Sequence, residues 1–271
     1  MSLPGVGDRV EDVRFITQAS FDAFAELSGD DNPIHVDPVF SARTRFGRTV
    51  AHGMFLFGSL AALAARWLGG PVHVLDQQMR FSAPTFAGEE MAMHMEVVAR
   101  AGASATVSQR IERPDGVVTL EGTATLARSH PTGSPIEWEV APTAARFKRL
   151  RPGATAESVR VFSAREVEAY VDLVDDPNDL FARGDQVPPA LLAGVVSRLL
   201  GTEVPGPGTN WLKQHYRFHA DVGTDVAVET SVAVRRLRPE KALVDLSDLA
   251  VAGGATVMTG RSLVLAADVA D

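Results

Sequence analysis

Two distant stretches of the chain align without a gap, "RFITQASFDAFAELSGDDN" from Arg14 and "RVFSAREVEAYVDLVDDPN" from Arg160. The register continues downstream. "VLDQQMRF" (Val74 to Phe81) matches "WLKQHYRF" (Trp211 to Phe218), and "GEEMAM" from Gly88 matches "GTDVAV" from Gly223. A chain that repeats its own pattern is built from copies of one unit, and 271 residues hold two units with a core each. With only two copies a solenoid is not expected. A pseudo-twofold pair sharing an interface is.

Each copy carries one strongly apolar helix pattern. In the first it is "GMFLFGSLAALAARWL", Gly53 to Leu68, 16 residues including Arg66. A helix of that length spans about 24 Å, short of the ~30 Å hydrocarbon core of a bilayer. A short helix that is apolar nearly all round belongs inside a protein, so the segment predicts a buried central helix. The second copy offers "PPALLAGVVSRLLG", Pro188 to Gly201. Strand-length runs follow each helix: Val72–Phe81, Glu90–Ala99, Ser104–Arg113 and Val117–Ala127, then Asn210–Phe218, Asp225–Val234, Lys241–Val251 and Ala255–Leu265. Alternation in "EMAMHMEVV" sets Met91, Met93, Met95 and Val97 on one face. Asp115-Gly116 marks a hairpin turn.

The fold class is therefore α+β, each half reading as one buried helix followed by an antiparallel meander. The stretch Ser129 to Ser158 is rich in Pro, Ser, Thr and Gly and interrupts the strand pattern. It is expected to be a linker, 129–158, between a first module at 1–128 and a second at 159–271.

Composition narrows the function. A formal charge of -8 without a long basic run argues against a sequence-independent grip on nucleic acid. With no cysteine, disulfides, thiolate metal sites and a cysteine nucleophile are excluded. The amino terminus has no basic stretch leading into an apolar core, so no secretory signal and a cytoplasmic location are expected.

The segment "GDDNPIHVD", Gly29 to Asp37, concentrates the chemistry. Asp30 aligns with Asp176 and Asn32 with Asn178, but His35 aligns with Phe181, and the following connection is about nine residues shorter in the second copy. A motif needed only for the fold would be needed twice, so the asymmetry points to one functional site in the first module, completed by the second. Pro33 fixes its own φ and biases Asn32 away from helix, placing Asp30 and His35 on a constrained turn. A carboxylate and an imidazole together can divide the taking and giving of a proton, and His35 titrates near neutral pH. Asp31 is the alternative carboxylate. A turn in which Asp and Asn bond their own backbone is the structural alternative. Asp30, His35 and His52 are also plausible ligand types for a metal, although without a compact HxxxH pair no metal is expected. His73, His94, His215 and His219 read as packing or surface residues. Arg43, Arg45 and Arg48 read as a solvated loop face that also suits phosphates. At "VAHGMF", Gly53 opens the apolar helix, where main-chain N–H groups lack intrahelical partners, and its N–H is suited to polarise a substrate carbonyl.

The stretch "LSGDDNPIHVDPVFSARTRFGRTVAHGMF" resembles the signature of the MaoC-like, type 2 or R-specific enoyl-CoA hydratases: a G-D-x-N-P-x-H loop followed by A-H-G at the start of a central helix. The resemblance covers nearly all of the first module, and the other module resembles a degenerate copy of it. It implies a double hot-dog fold, two antiparallel sheets each wrapped around a central helix, and reversible addition of water to a trans-2-enoyl thioester. It also implies that Asp30 and His35 are the catalytic pair, that the Gly53 N–H binds the thioester carbonyl, and that Asn32 and His52 hold the loop and site entrance. One departure is visible: related hydratases often carry a serine where this chain has Ala61, with Ser59 two residues earlier. No cofactor is expected, CoA being part of the substrate. The expected partner is an acyl-CoA or acyl-carrier thioester, with neither nucleic acid nor membrane. A monomer with pseudo-twofold modules and a homodimer are both compatible with the duplication. A hot-dog thioesterase and a non-catalytic acyl-thioester binding subunit are the alternative functions.

Overall fold

The computed structural model describes residues 3–130 and 146–269. Its element order repeats. The first half runs β1 (Arg9–Phe15), α1 (Gln18–Ser28), the single turns α2 (Pro33–Val36) and α3 (Pro38–Ser41), α4 (Gly53–Leu68), β2 (His73–Phe81), β3 (Glu90–Ala101), β4 (Ser104–Glu112) and β5 (Val118–Ala127). The second half runs β6 (Thr155–Val161), α5 (Ala164–Val174), α6 (Pro189–Thr202), β7 (Asn210–Phe218), β8 (Ala227–Arg238), β9 (Leu243–Ala252) and β10 (Ala255–Leu265). β1 and β6, and α1 and α5, begin and end at the positions that the gap-free alignment pairs.

Two expectations are corrected. The strands form one ten-stranded antiparallel sheet, in the order β1-β3-β4-β5-β2-β7-β10-β9-β8-β6, rather than two separate sheets. The two halves join because β2 and β7 would each otherwise expose an unpaired edge. They pair with each other instead, Asp76 opposite Arg217 and Arg80 opposite Lys213. Asp76 reinforces the seam by accepting from His215 Nε2 at 2.8 Å and Arg217 Nε at 3.1 Å. Burial alone would push the Asp76 carboxyl up, but these two partners more than offset it and hold it below its ordinary value. The second correction concerns 129–158: β6 begins at Thr155, inside the expected linker, and pairs with β8. Residues 131–145 of that stretch lie outside the described residues.

One face of the sheet covers the two apolar helices, which pack on each other. Twelve of the 16 residues of α4 are buried, and Met91, Met93, Met95 and Val97 on β3 close over the core. No helix among the described residues is long and apolar enough to cross a membrane. The amphipathic helices α1 and α5 each lie against the central helix of the opposite half. A glycine permits each crossing. A Cβ on Gly58 of α4 would overlap the Tyr170 hydroxyl of α5, and one on Gly194 of α6 would stand 2.8 Å from the Ser28 Cβ of α1. The α1–α6 crossing positions the site, because α1 ends at Ser28 and the chemically distinctive loop follows.

The crossing predicts that Gly194→Val forces α1 off α6. Overpacking of this kind costs about 1–3 kcal/mol, which a urea unfolding midpoint measures; an unchanged midpoint would show that the contact does not constrain α1.

Candidate active site

Helix α1 stops at Gly29, which takes the left-handed conformation at φ 76° and returns its N–H to Ala25 O. That turn sends Asp30 inward and Asp31 outward: Asp30 is 1% exposed, whereas Asp31 is on the surface. Asn32 then caps α2 by accepting from Ile34 N, with Pro33 in the first helical position. The single turn of α2 carries His35 back over Asp30. Asp37, the last acid of the motif, caps α3 through Val39 N and Phe40 N and takes no part in the cavity.

The hydrogen bonds fix both imidazoles. His35 Nδ1 lies 2.8 Å from the Val50 carbonyl, so Nδ1 carries a proton and donates it, leaving Nε2 as the proton-accepting atom of the neutral ring. His52 is fully buried, and its Nε2 donates to the Asp30 carbonyl at 2.9 Å. The two rings stack with centroids 3.8 Å apart. His52 therefore clamps the main chain of the loop from below while bracing the His35 ring. Burial, with His35 beside it, holds His52 well below the ordinary imidazole range, so it stays neutral.

Asp30, His35 and His52 each offer a ligand-type atom within 4.8 Å of the others. Burial pushes the Asp30 carboxyl up, opposed in part by His35 and by a hydrogen bond from Ser197. Burial likewise pushes His35 down, opposed in part by Asp30 and by the Val50 carbonyl. Burial thus brings the proton affinities of the acid and the base closer together than they are in water.

Ser197 belongs to no motif that the sequence displays. It lies on α6 and donates from Oγ to Asp30 Oδ2 at 2.6 Å. Gly58 and Gly194 occupy the matching helix crossings, and three residues beyond them stand Ala61 and Ser197. Ser197 thus stands in α6 at the repeat position that Ala61 holds in α4. Ser59, the nearer candidate, donates to Phe55 O within its own helix and does not line the cavity.

The pair opens onto a cavity of about 340 Å³ lined by residues from both halves, among them Gly53, Leu56, Phe81, Ser197 and Trp211. Gly53 begins α4 after an N-cap, His52, that makes no side-chain cap, so its N–H has no intrahelical acceptor. The absence of a side chain at Gly53 is enforced by the protein itself: a Cβ there would stand 2.7 Å from the Phe81 ring. Asn32 also reaches the second half, its amide facing Gly201 so closely that a Cβ there would lie 2.6 Å from Nδ2. Of the three loop arginines, Arg45 lines the cavity, while Arg48 pairs with Glu89 and lies over the Phe86 ring.

The family model described as MaoC like domain matches residues 5–115, a span that contains Asp30, Asn32, His35, His52 and Gly53. The chain is 35% identical over 124 residues to an (R)-specific enoyl-CoA hydratase of Aeromonas caviae, covering 45% of this chain and 92% of that protein. The chain belongs to the MaoC-like dehydratase family. A 3-hydroxybutyryl-CoA dehydratase of Methylorubrum extorquens is 39% identical over 83 residues, 30% of this chain and 53% of that protein. Among solved structures, a MaoC-like dehydratase superposes with TM-score 0.76 at 14% identity, covering 96% of this chain and 98% of that one. A conserved hypothetical protein of Mycobacterium tuberculosis, described as a double hotdog fold, superposes with TM-score 0.75 at 13% identity over 97% and 96% of the two chains. The last two likenesses establish that this MaoC-like chain has the double hot-dog fold over almost its whole length.

A stability consequence follows from the buried carboxylate. Because burial raises the Asp30 pKa, the folded protein holds that proton more tightly than the unfolded chain, and Asp30 costs stability as pH rises from its ordinary value of 3.8 through its raised value. Asp30→Asn removes this cost. Its Tm advantage over the parent protein should be absent below that window and grow as pH rises through it; a difference independent of pH would contradict the assignment.

Proposed function

We propose that this protein is a hydro-lyase that reversibly adds water across the double bond of a trans-2-enoyl thioester, giving the 3-hydroxyacyl thioester. The observation that carries this reading is the convergence of Asp30, His35 and the free N–H end of α4 on one cavity. Its volume of about 340 Å³ lies in the range of small-ligand sites.

In the hydration direction a water sits between the Asp30 carboxylate and His35 Nε2. One of the pair takes a proton as the water oxygen bonds to the β-carbon. The π electrons move toward the thioester carbonyl, whose developing negative charge is met by the Gly53 N–H and the positive end of α4. The proton taken from the water is then delivered through the pair to the α-carbon, so the H and OH of one water are added without any redox change and both residues regain their starting protonation state. Dehydration runs the same steps backward. Ser197 fixes the Asp30 carboxylate, Asn32 and His52 fix the loop, and none of the three touches the reacting atoms. Arg45 at the cavity rim suits the phosphates of CoA or of a carrier-bound arm. The R configuration of the product is the reading that the name of the Aeromonas caviae relative supports.

We further read residues 1–128 as the catalytic module and 159–271 as a degenerate one that supplies a wall of the site. The second half keeps Asp176 and Asn178 but has Phe181 in place of the histidine. Because Ser197 and the Asp30 loop come from one chain, a monomer contains a complete site.

Crotonyl-CoA tests the reading. Loss of the enoyl absorbance supports hydration, release of free thiol would make the protein a thioesterase, and binding without either would make it an acyl-thioester binding subunit. Asp30→Ala and His35→Ala should each lower kcat by about 10²–10⁴-fold while the protein stays folded, and near-normal rates in both would remove the assignment.

Ser197→Ala should lower kcat with little change in KM. The lost hydrogen bond favoured the charged carboxylate, so the Asp30 pKa rises further and the acidic limb of the kcat/KM profile moves to higher pH. An unmoved limb would show that Ser197 does not act through Asp30.

A further inference from the structure

The second half retains a remnant of the cavity that the first half uses. It is lined by Phe181, Leu192 and Phe218 together with three polar residues, His73, His130 and Asp221, and its volume is about 10 Å³. Phe181 holds the place that His35 holds in the catalytic cavity, and it fills the space where a substrate would enter.

The three polar residues come from separated parts of the chain. His73 opens β2, His130 follows β5, and Asp221 lies in the loop after β7. His73 Nδ1 and His130 Nε2 both lie 3.1 Å from the same atom, Asp221 Oδ1, and the donor atoms of all three residues are within 4.8 Å of one another. The imidazoles are set edge to face, with centroids 4.7 Å apart. His130 Nδ1 is buried without a hydrogen-bond partner.

The internal repeat shows that the fold does not require this cluster. In the β2 and β7 register His73 corresponds to Asn210, and Asp221 corresponds to Pro84. Asn210 and Pro84 both line the catalytic cavity, and neither offers an imidazole or a carboxylate at its position. The cluster is therefore particular to the disused cavity.

We propose that His73, His130 and Asp221 bind a single divalent ion of the zinc class, which ties the end of the first half to the second. Two imidazole nitrogens, which are borderline donors, joined by one carboxylate oxygen suit Zn²⁺ and its first-row neighbours rather than the all-oxygen preference of Mg²⁺ or Ca²⁺. Tetrahedral ligands at ~2.0–2.1 Å from zinc stand roughly 3.3 Å from each other, close to the 3.1 Å found twice here. Hydrogen bonds also span that distance. What favours an ion is that both rings converge on one oxygen, with all three donor atoms within 4.8 Å of one another, and metal uptake separates this from two hydrogen bonds. The fourth position is left to water. The ion is structural, and the site is separate from the acyl-thioester cavity.

The test uses the full-length protein stripped with chelator and titrated with Co²⁺, whose visible absorption reports coordination, followed by competition with Zn²⁺. The titration is made in a His35→Ala background, because Asp30, His35 and His52 form a second cluster of possible ligands. The expected result is uptake of one equivalent with four-coordinate absorption, displacement by Zn²⁺, and a Tm that rises with added Zn²⁺. His130→Ala or Asp221→Ala added to that background should abolish both the absorption and the Tm shift. His130 lies outside the regular strands, so its variant tests the site even if the Asp221 variant folds poorly. No uptake in the His35→Ala protein, or unchanged uptake when His130 is removed, would overturn the proposal and leave the three residues as a hydrogen-bonded latch.

Discussion

Helix α1 can lie against α6 because Gly194 offers no side chain to Ser28, and the site depends on that contact. α1 then ends directly over the helix of the other half. The left-handed turn at Gly29 drops Asp30 into the interface, where Ser197 can reach it. From Asp30 the arrangement propagates through its carbonyl to His52, from the His52 ring to the stacked His35, and from His35 Nδ1 to Val50. Each link uses a group that would otherwise be buried unpaired, so the loop carrying the acid and the base has little freedom to relax.

Burial also creates the chemistry. A carboxylate in water beside a free imidazole would be ionised well below neutral pH and would take a proton poorly. Enclosure raises Asp30 and lowers His35, while their mutual attraction and the hydrogen bonds from Ser197 and to Val50 limit both shifts. The pseudo-symmetric half shows the result of removing the parts. Asp176 is buried and pushed up to about 6 by desolvation, yet it faces no histidine because Phe181 has replaced it. Asn178 there has become a clamp, holding Val72 through both its amide oxygen and nitrogen. The same loop is a site in one half and a joint in the other.

Much of this is legible in the sequence, because it is local or repeated. The duplication, both buried helices, the face of β3 that points inward and the G-D-x-N-P-x-H loop rest on short-range patterns. β1 and β6 do not stand out as strands. Each lies at an edge of the sheet with alternating partial exposure, and Val13, Phe15, Val159 and Val161 face solvent. The single sheet is invisible in the sequence because the β2–β7 pairing joins positions that share no local signal. Between Asp30 and Asp31 composition cannot choose; the sign of φ at Gly29 does. Ser197 is the costliest omission, although a signal for it is present: with Gly58 aligned on Gly194, Ala61 falls at the same repeat position as Ser197.

A crystal structure of the Asp30→Asn protein with a trans-2-enoyl-CoA bound tests the central claim most directly, that one loop of the first half and one helix of the second together form the reacting centre. The account predicts the thioester oxygen within hydrogen-bonding distance of the Gly53 N–H, and the β-carbon beside residue 30 and His35 Nε2, with Ser197 still on the side chain at position 30. An acyl chain lodged elsewhere, or a thioester turned away from α4 with residue 30 and His35 on no reacting atom, would contradict it.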